Sequence, residues 1–186
     1  MSLFERYRSY RGRVRAEFES HIQPLLEHVD VRRLDECLQH FQYTRLRHSV
    51  DVAWFSFFLT RLLGWRSRET ARAALLHDLF FHGEGQNAAS LLRTHPVIAV
   101  ENARAVCALS ELEENIILRH MWLLTLIPPR YKEGYVVTFV DKLCASREFA
   151  IGLFAGGRRR AFFAADCVEE SLLRYTRPVV AGKSGK

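Results

Sequence analysis

Glycine and proline are scarce in this chain, at 10 and 5 of 186 residues. Few breakers leave room for long helices and little for the short strands and tight turns of an all-β fold. No run reaches the roughly 18 apolar residues that a membrane span needs, and the most apolar stretch, Val52 to Leu63, carries Arg61. The opening MSLFERYRSYRGRVR lacks the apolar centre of a secretory signal. These absences predict a cytoplasmic protein with no membrane partner. Cys37, Cys107, Cys144 and Cys167 form no C-x-x-C pair. That spacing argues against a zinc ribbon or a disulfide framework, and for free thiols in a reducing compartment. There is no glycine-rich phosphate loop, no RNA-binding aromatic motif, no internal repeat and no sustained period-two alternation.

Large apolar side chains are plentiful, with 13 Phe and 48% hydrophobic residues against 26% charged. This is an ordinary globular balance. At about 150 residues per domain, the length predicts one domain, over residues 1–178, with a flexible tail at 179–186. The periodicity is helical throughout and predicts an all-α bundle of roughly eight helices. A first helix is expected from Ser2 to about Ser20, a second after Pro24, and a third over Val31 to Phe41, with Leu34, Cys37, Leu38 and Phe41 on one stripe. A long apolar helix from about Leu46 to Leu63 stops at Gly64, which suits the position after a helix end. Ser67 is expected to cap the next helix, which holds Ala71, Ala74, Leu75 and Phe80. Another opens near Thr94-His95-Pro96, with proline in its first turn. Ser110 and Glu113 read as a capping box for Glu111 to Met121. Helices over about Tyr131 to Ala150 and about Arg158 to Tyr175 complete the pattern. Trp54, Phe55, Phe57 and Phe58 are expected in the core.

The net charge is +6, from 27 Lys and Arg against 21 Asp and Glu. It favours a small anionic partner, with nucleic acid the weaker expectation; Arg158-Arg159-Arg160 reads as a solvated helix start. Trp122 and Tyr131 flank a proline-rich loop, where they either pack or line a pocket.

The histidines carry the chemical signal. His48, His77-Asp78, His95, His120 and Asp141 each sit among apolar residues, in RLRHSVDVAWF, AALLHDLFF, RTHPV, NIILRHMWLL and VVTFVDKLCA. Buried ionisable groups are costly unless paired or bound to metal. A single His on an apolar face is usually a hydrogen-bonded core residue, but several on different helices are how helical bundles build metal sites. His and Asp ligands suit Fe, Mn, Zn, Co or Ni more than Ca.

Arg45-x-x-His48, His77-Asp78 and Asp141, in an all-helical setting, resemble the HD-domain superfamily of metal-dependent phosphohydrolases, over residues 40 to 150. The segments at His95-Pro96 and His120-Met121-Trp122 look like a subgroup of small bacterial HD proteins. The resemblance implies a single HD-type domain. It implies one metal ion on His48, His77, Asp78 and Asp141, and a second on Asp78, His95 and His120, with Asp78 bridging. It implies phosphoester hydrolysis of a nucleotide or other small phosphorylated metabolite, by a hydroxide that a divalent metal makes available near neutral pH. In similar proteins an Arg at the position of Arg45 contacts phosphate, a task its planar fork suits. Lys142 either neutralises developing charge or pairs with Asp141. Nucleotidase-like members carry a Glu shortly after the His-Asp pair. Here Leu79-Phe80-Phe81-His82 follows, leaving His82 or Glu84 as the candidate proton donor. Asp51, one turn after His48, reads as a solvated or supporting group. The same six ligands also serve mixed-valent di-iron oxygenases on the same fold, and a non-catalytic metal-binding or ligand-binding module is the third alternative.

Overall fold

The computed structural model describes residues 3–40, 43–81 and 88–155. Among these the architecture is seven α-helices and one short hairpin: α1 (Leu3–Leu26), α2 (Val29–Arg33), a 3-10 turn (Leu34–Glu36), β1 (Leu38–His40), β2 (Tyr43–Thr44), α3 (Arg45–Leu62), α4 (Ser67–Leu76), α5 (Ala88–Val106), α6 (Glu111–Arg119) and α7 (Lys132–Ala155). The all-α expectation holds, with seven helices where roughly eight were expected. The helix expected over Arg158 to Tyr175, the tail, His82, Glu84, the arginine triplet and Cys167 lie outside the described residues. Cys37, Cys107 and Cys144 are free thiols, and no described helix is long and apolar enough to cross a membrane.

The core lies where α3 packs against α4 and α7, with α1 across α4 and α6 between α4 and α5. Helix α1 buries Val14, Phe18, Ile22, Leu25 and Leu26, a stripe with the three-to-four spacing of one helical face. Phe18 meets Trp54 edge-on at 5.1 Å and Phe57 at 5.4 Å, tying α1 to α3. Of the aromatic cluster expected in the core, Phe57 is buried, Trp54 is partly buried, and Phe55 and Phe58 face outward.

Four boundaries differ from the expectation, each for a physical reason. α1 runs through Pro24 to Leu26. A proline inside a helix costs about 3 kcal/mol, and fully burying an aliphatic side chain returns about 1.5–3 kcal/mol, so Ile22, Leu25 and Leu26 together hold the last turn in place. Likewise α5 starts at Ala88, so Pro96 sits inside it rather than in its first turn. Third, the stripe expected over Val31 to Phe41 ends early: Leu38 is 67% exposed and begins a strand. Leu38 pairs with Thr44 and His40 with Tyr43. The chain must be extended there because Thr44 caps α3, with its side chain accepting from the Arg47 N–H while its own hydroxyl donates to Asp35. Fourth, α4 ends at Leu76, and Ser67 is its first helical residue rather than its cap. His77, the residue at that end, keeps helical backbone angles, and the chain then leaves the helix through a turn that carries Asp78 and Phe80.

Two expected stops are present. Gly64 has φ +67°, the left-handed conformation that follows a helix end at low cost only in glycine. Ser110 and Glu113 form the capping box of α6, and Glu113 also receives the Arg72 guanidinium at 2.6 Å, which fixes α6 to α4.

Candidate metal centre

The six histidines and aspartates singled out from the sequence converge. His48 comes from the first turn of α3, His77 and Asp78 from just past α4, His95 from α5, His120 from the end of α6, and Asp141 from the middle of α7. All six are buried. His48 Nε2 lies 3.0 Å from Asp141 Oδ1. His77 Nε2 is 3.6 Å from Asp78 Oδ2 and 3.7 Å from Asp141 Oδ1. The other oxygen of Asp78 faces His95 Nε2 at 3.4 Å and His120 Nε2 at 3.6 Å. His95 and His120 meet through their Nε2 atoms at 2.9 Å. The donor atoms form three overlapping groups, each within 4.8 Å: His48, His77 and Asp78; His77, His120 and Asp141; Asp78, His95 and His120. These buried groups could hold a metal ion.

Local structure sets the tautomers. His77 Nδ1 lies 2.7 Å from the Ala74 carbonyl, and His120 Nδ1 lies 2.7 Å from the Ile117 carbonyl. A carbonyl only accepts, so in both rings Nδ1 carries the hydrogen and a neutral ring presents a lone pair at Nε2. Each ring is thereby aimed at the centre by the last turn of its own helix. His77 Nε2 is buried with no hydrogen-bond partner. A buried acceptor left this way is costly in a plain core, and it is what a metal ligand looks like. The facing Nε2 atoms of His95 and His120, 2.9 Å apart, are close enough for both to serve one ion together with Asp78.

Burial disfavours the charged form of His120, and the neighbouring His77 adds to this, so its pKa is held down at about 3 and the ring stays neutral. Burial also opposes charge on His48, but hydrogen bonds to Asp141 and Glu148 outweigh it and push the pKa up to about 10. For Asp78 burial pulls upward, and the surrounding histidines, His77 first, hold the carboxyl below the usual range. Asp141 is held well below the usual range against its burial by its hydrogen bond to His48 and by the nearby His77 and Lys142. The pocket therefore keeps two ionised carboxylates beside the neutral His120, while His48 holds a proton that a bound cation would displace.

Lys142 makes the pairing with Asp141 that was one of its two expected roles. Its Nζ donates to Asp141 Oδ2 at 2.6 Å and to the His120 carbonyl at 3.4 Å, joining α7 to the end of α6. Its side chain is 35% exposed, so a cation stands at the solvent edge of the cluster. Arg45, for which the resemblance implies a phosphate contact, is buried beside the 78–80 turn. It is 2% exposed, donates to the Phe80 carbonyl, and lies with its guanidinium 3.9 Å from the centre of the Phe80 ring. Phe80 in turn packs on His95 at 4.9 Å. Arg45 thus braces the 78–80 turn and, through Phe80, the His95 ring. Asp51, read as solvated or supporting, is buried, and its ion pairs run to Arg47 at 4.0 Å and Arg147 at 3.9 Å. Trp122 meets Tyr135 edge-on, while Arg66 and Arg130 lie over the Tyr131 ring, so both aromatic rings are engaged in packing.

Sequence reasoning missed Glu148. It is 1% exposed and its Oε1 lies 2.9 Å from His48 Nδ1. The available signal was its spacing, seven residues after Asp141, which returns to the same face of α7 after two turns. Its immediate neighbours Arg147 and Phe149 give no sign of it. No known protein family, curated protein or solved structure matches the chain.

Proposed function

We propose that this chain is an HD-type metal-dependent phosphohydrolase that binds two divalent ions and cleaves a phosphoester of a nucleotide or another small phosphorylated metabolite. The observation that carries this reading is the meeting of His48, His77, Asp78, His95, His120 and Asp141 around one buried point, with the His77 Nε2 lone pair left without a partner. These are the six positions that the HD resemblance assigns to ligands. His48, His77, Asp78 and Asp141 would hold one ion and Asp78, His95 and His120 the other, drawn from Fe, Mn, Zn, Co or Ni.

Such ions, when bound, supply a hydroxide nucleophile near neutral pH and neutralise charge on the phosphoryl oxygens. The remaining work belongs to the protein. Asp78 directs one oxygen toward His77 and the other toward His95 and His120, so it orders both halves of the site. Lys142, fixed by Asp141 and partly exposed, meets an anionic substrate at the edge and balances charge that develops on it. Arg45 keeps the Asp78 turn in shape from beneath. Proton donation to the leaving group falls to His82 or Glu84, in the segment that follows Phe81.

The test is elemental analysis of purified protein together with a panel of phosphoesters assayed with added Mn²⁺. The proposal predicts two ions per chain and phosphate release that a chelator abolishes. Bound iron with O₂ consumption and no phosphate release would replace it with the di-iron oxygenase reading. Metal without turnover in either assay would leave a binding module.

A further inference from the structure

His48 is held differently from the other oriented rings of the centre. His77 and His120 lean on backbone carbonyls of their own helices, Ala74 and Ile117. His48 leans on a carboxylate from another helix, with Glu148 Oε1 2.9 Å from Nδ1, while its Nε2 faces Asp141 3.0 Å away. Asp141 and Glu148 stand two turns apart on α7, so the ring is clamped along that helix by a carboxylate at each nitrogen. His48 is fully buried and Glu148 is 1% exposed. The second oxygen of Glu148 is buried without a hydrogen-bond partner. The adjacent Arg147 directs its guanidinium to Asp51 instead, at 3.9 Å. Burying a carboxylate with one oxygen unsatisfied is a poor way to stabilise a core. The residue makes sense through what it does to His48.

We infer that Glu148 is a positioning residue that makes the His48, His77, Asp78 and Asp141 set the tighter of the two metal sites. This rests on the metal reading above. A carboxylate on Nδ1 fixes the tautomer and orientation of a ligating imidazole and raises its basicity, more than a neutral carbonyl does. His77 and His120 have a neutral carbonyl on the nitrogen that points away from the centre, where His48 has the Glu148 carboxylate. The proposed set that contains His48 draws on both Asp78 and Asp141, against Asp78 alone for the proposed set with His95 and His120. Filling is therefore ordered: the His48 side takes the first ion and the His95–His120 side the second.

The experiment titrates chelator-stripped full-length protein with Zn²⁺ in competition with a chromophoric chelator, for wild type, Glu148→Gln, Glu148→Ala and His95→Ala. Wild type should show two steps, of which His95→Ala removes the weaker. Glu148→Gln keeps an acceptor for Nδ1 but loses the charge, and should weaken the tighter step about 10-fold; Glu148→Ala loses both and should weaken it about 100-fold. The weaker step should stay as in wild type. The far-UV circular dichroism and Tm of the metal-free variants separate positioning from folding, and Glu148→Gln, nearly isosteric, keeps the test in force if Glu148→Ala fails to fold. Unchanged constants in both variants would overturn the assignment. So would an equal fall in both steps accompanied by a lower metal-free Tm, which would make Glu148 structural. Wild type that takes up no Zn²⁺ would overturn this inference and the metal reading together, a result distinct from the other two.

Discussion

Two histidines of the centre are displaced in opposite directions from the ordinary imidazole pKa of 6.5, His120 down to about 3 and His48 up to about 10. The signs decide how the metal-free protein responds to pH. A lowered histidine favours the folded state above 6.5, and that contribution is withdrawn as pH falls toward 3. A raised histidine favours it below 6.5, and that contribution is lost as pH climbs through 10. Chelated protein should therefore reach its highest Tm near pH 6.5 and lose stability on both sides. A thermal scan from pH 4 to 10 in the presence of chelator checks this, and a Tm that rises steadily across the range would contradict it. Arg45 gives a second prediction at this scale. Truncation to Ala leaves the buried Phe80 carbonyl without that donor and removes the guanidinium from the Phe80 ring. A buried hydrogen bond to a charged donor is worth about 1.5–3 kcal/mol, so Arg45→Ala should lower Tm and, through Phe80, weaken metal binding at His95. Full stability with lost turnover would instead return Arg45 to the substrate.

At the scale of elements, the centre exists because helices end where they do. α4 stops at Leu76 and α6 at Arg119, and the residue just past each end, His77 and His120, turns back to donate to its own last turn. Beyond His120 the chain passes through Leu123, whose φ of 84° is unusual for a branched residue, to Pro129 and then into α7. Gly134 in the first turn of α7 admits that loop: a Cβ there would stand 2.6 Å from Pro129 Cβ. Overpacking of this kind costs about 1–3 kcal/mol. Gly134→Ala should lower Tm accordingly, because either the loop or α7 must move. Denaturation of the variant with a wild-type midpoint would show that the loop yields freely. The same scale explains what was legible. The segments that supply the candidate ligands could be read because His or Asp inside an apolar run is conspicuous. The extents of α1 and α5 could not, because Pro24 and Pro96 carry a local cost visible in sequence while the burial that offsets it depends on partners far along the chain. Leu38 matched a helical stripe, and what overruled it was the hairpin that leads into the extended Thr44 cap of α3.

For the molecule as a whole, a helical bundle brings five separated segments to one point and closes apolar side chains around them. The ligand set was legible as residue types and the convergence was not, since no local pattern states which helix faces which. Glu148 shows the limit: its role depends on α7 lying against α3, and nothing in its own neighbourhood announces that. The central claim is that this point is a two-ion site bridged by Asp78. The most direct measurement is the metal content per chain of wild type and Asp78→Asn, purified alike and reloaded with the same ion. Asn is nearly the size of Asp and can keep some of its hydrogen bonds, but it offers no charge to hold two cations. Wild type should carry two ions and melt higher than its chelated form, because bound metal favours the folded state by mass action. Asp78→Asn should lose most of both ions and respond little to added metal. If Asp78→Asn keeps two ions per chain and the wild-type rise in Tm, Asp78 is no bridge and the account is contradicted.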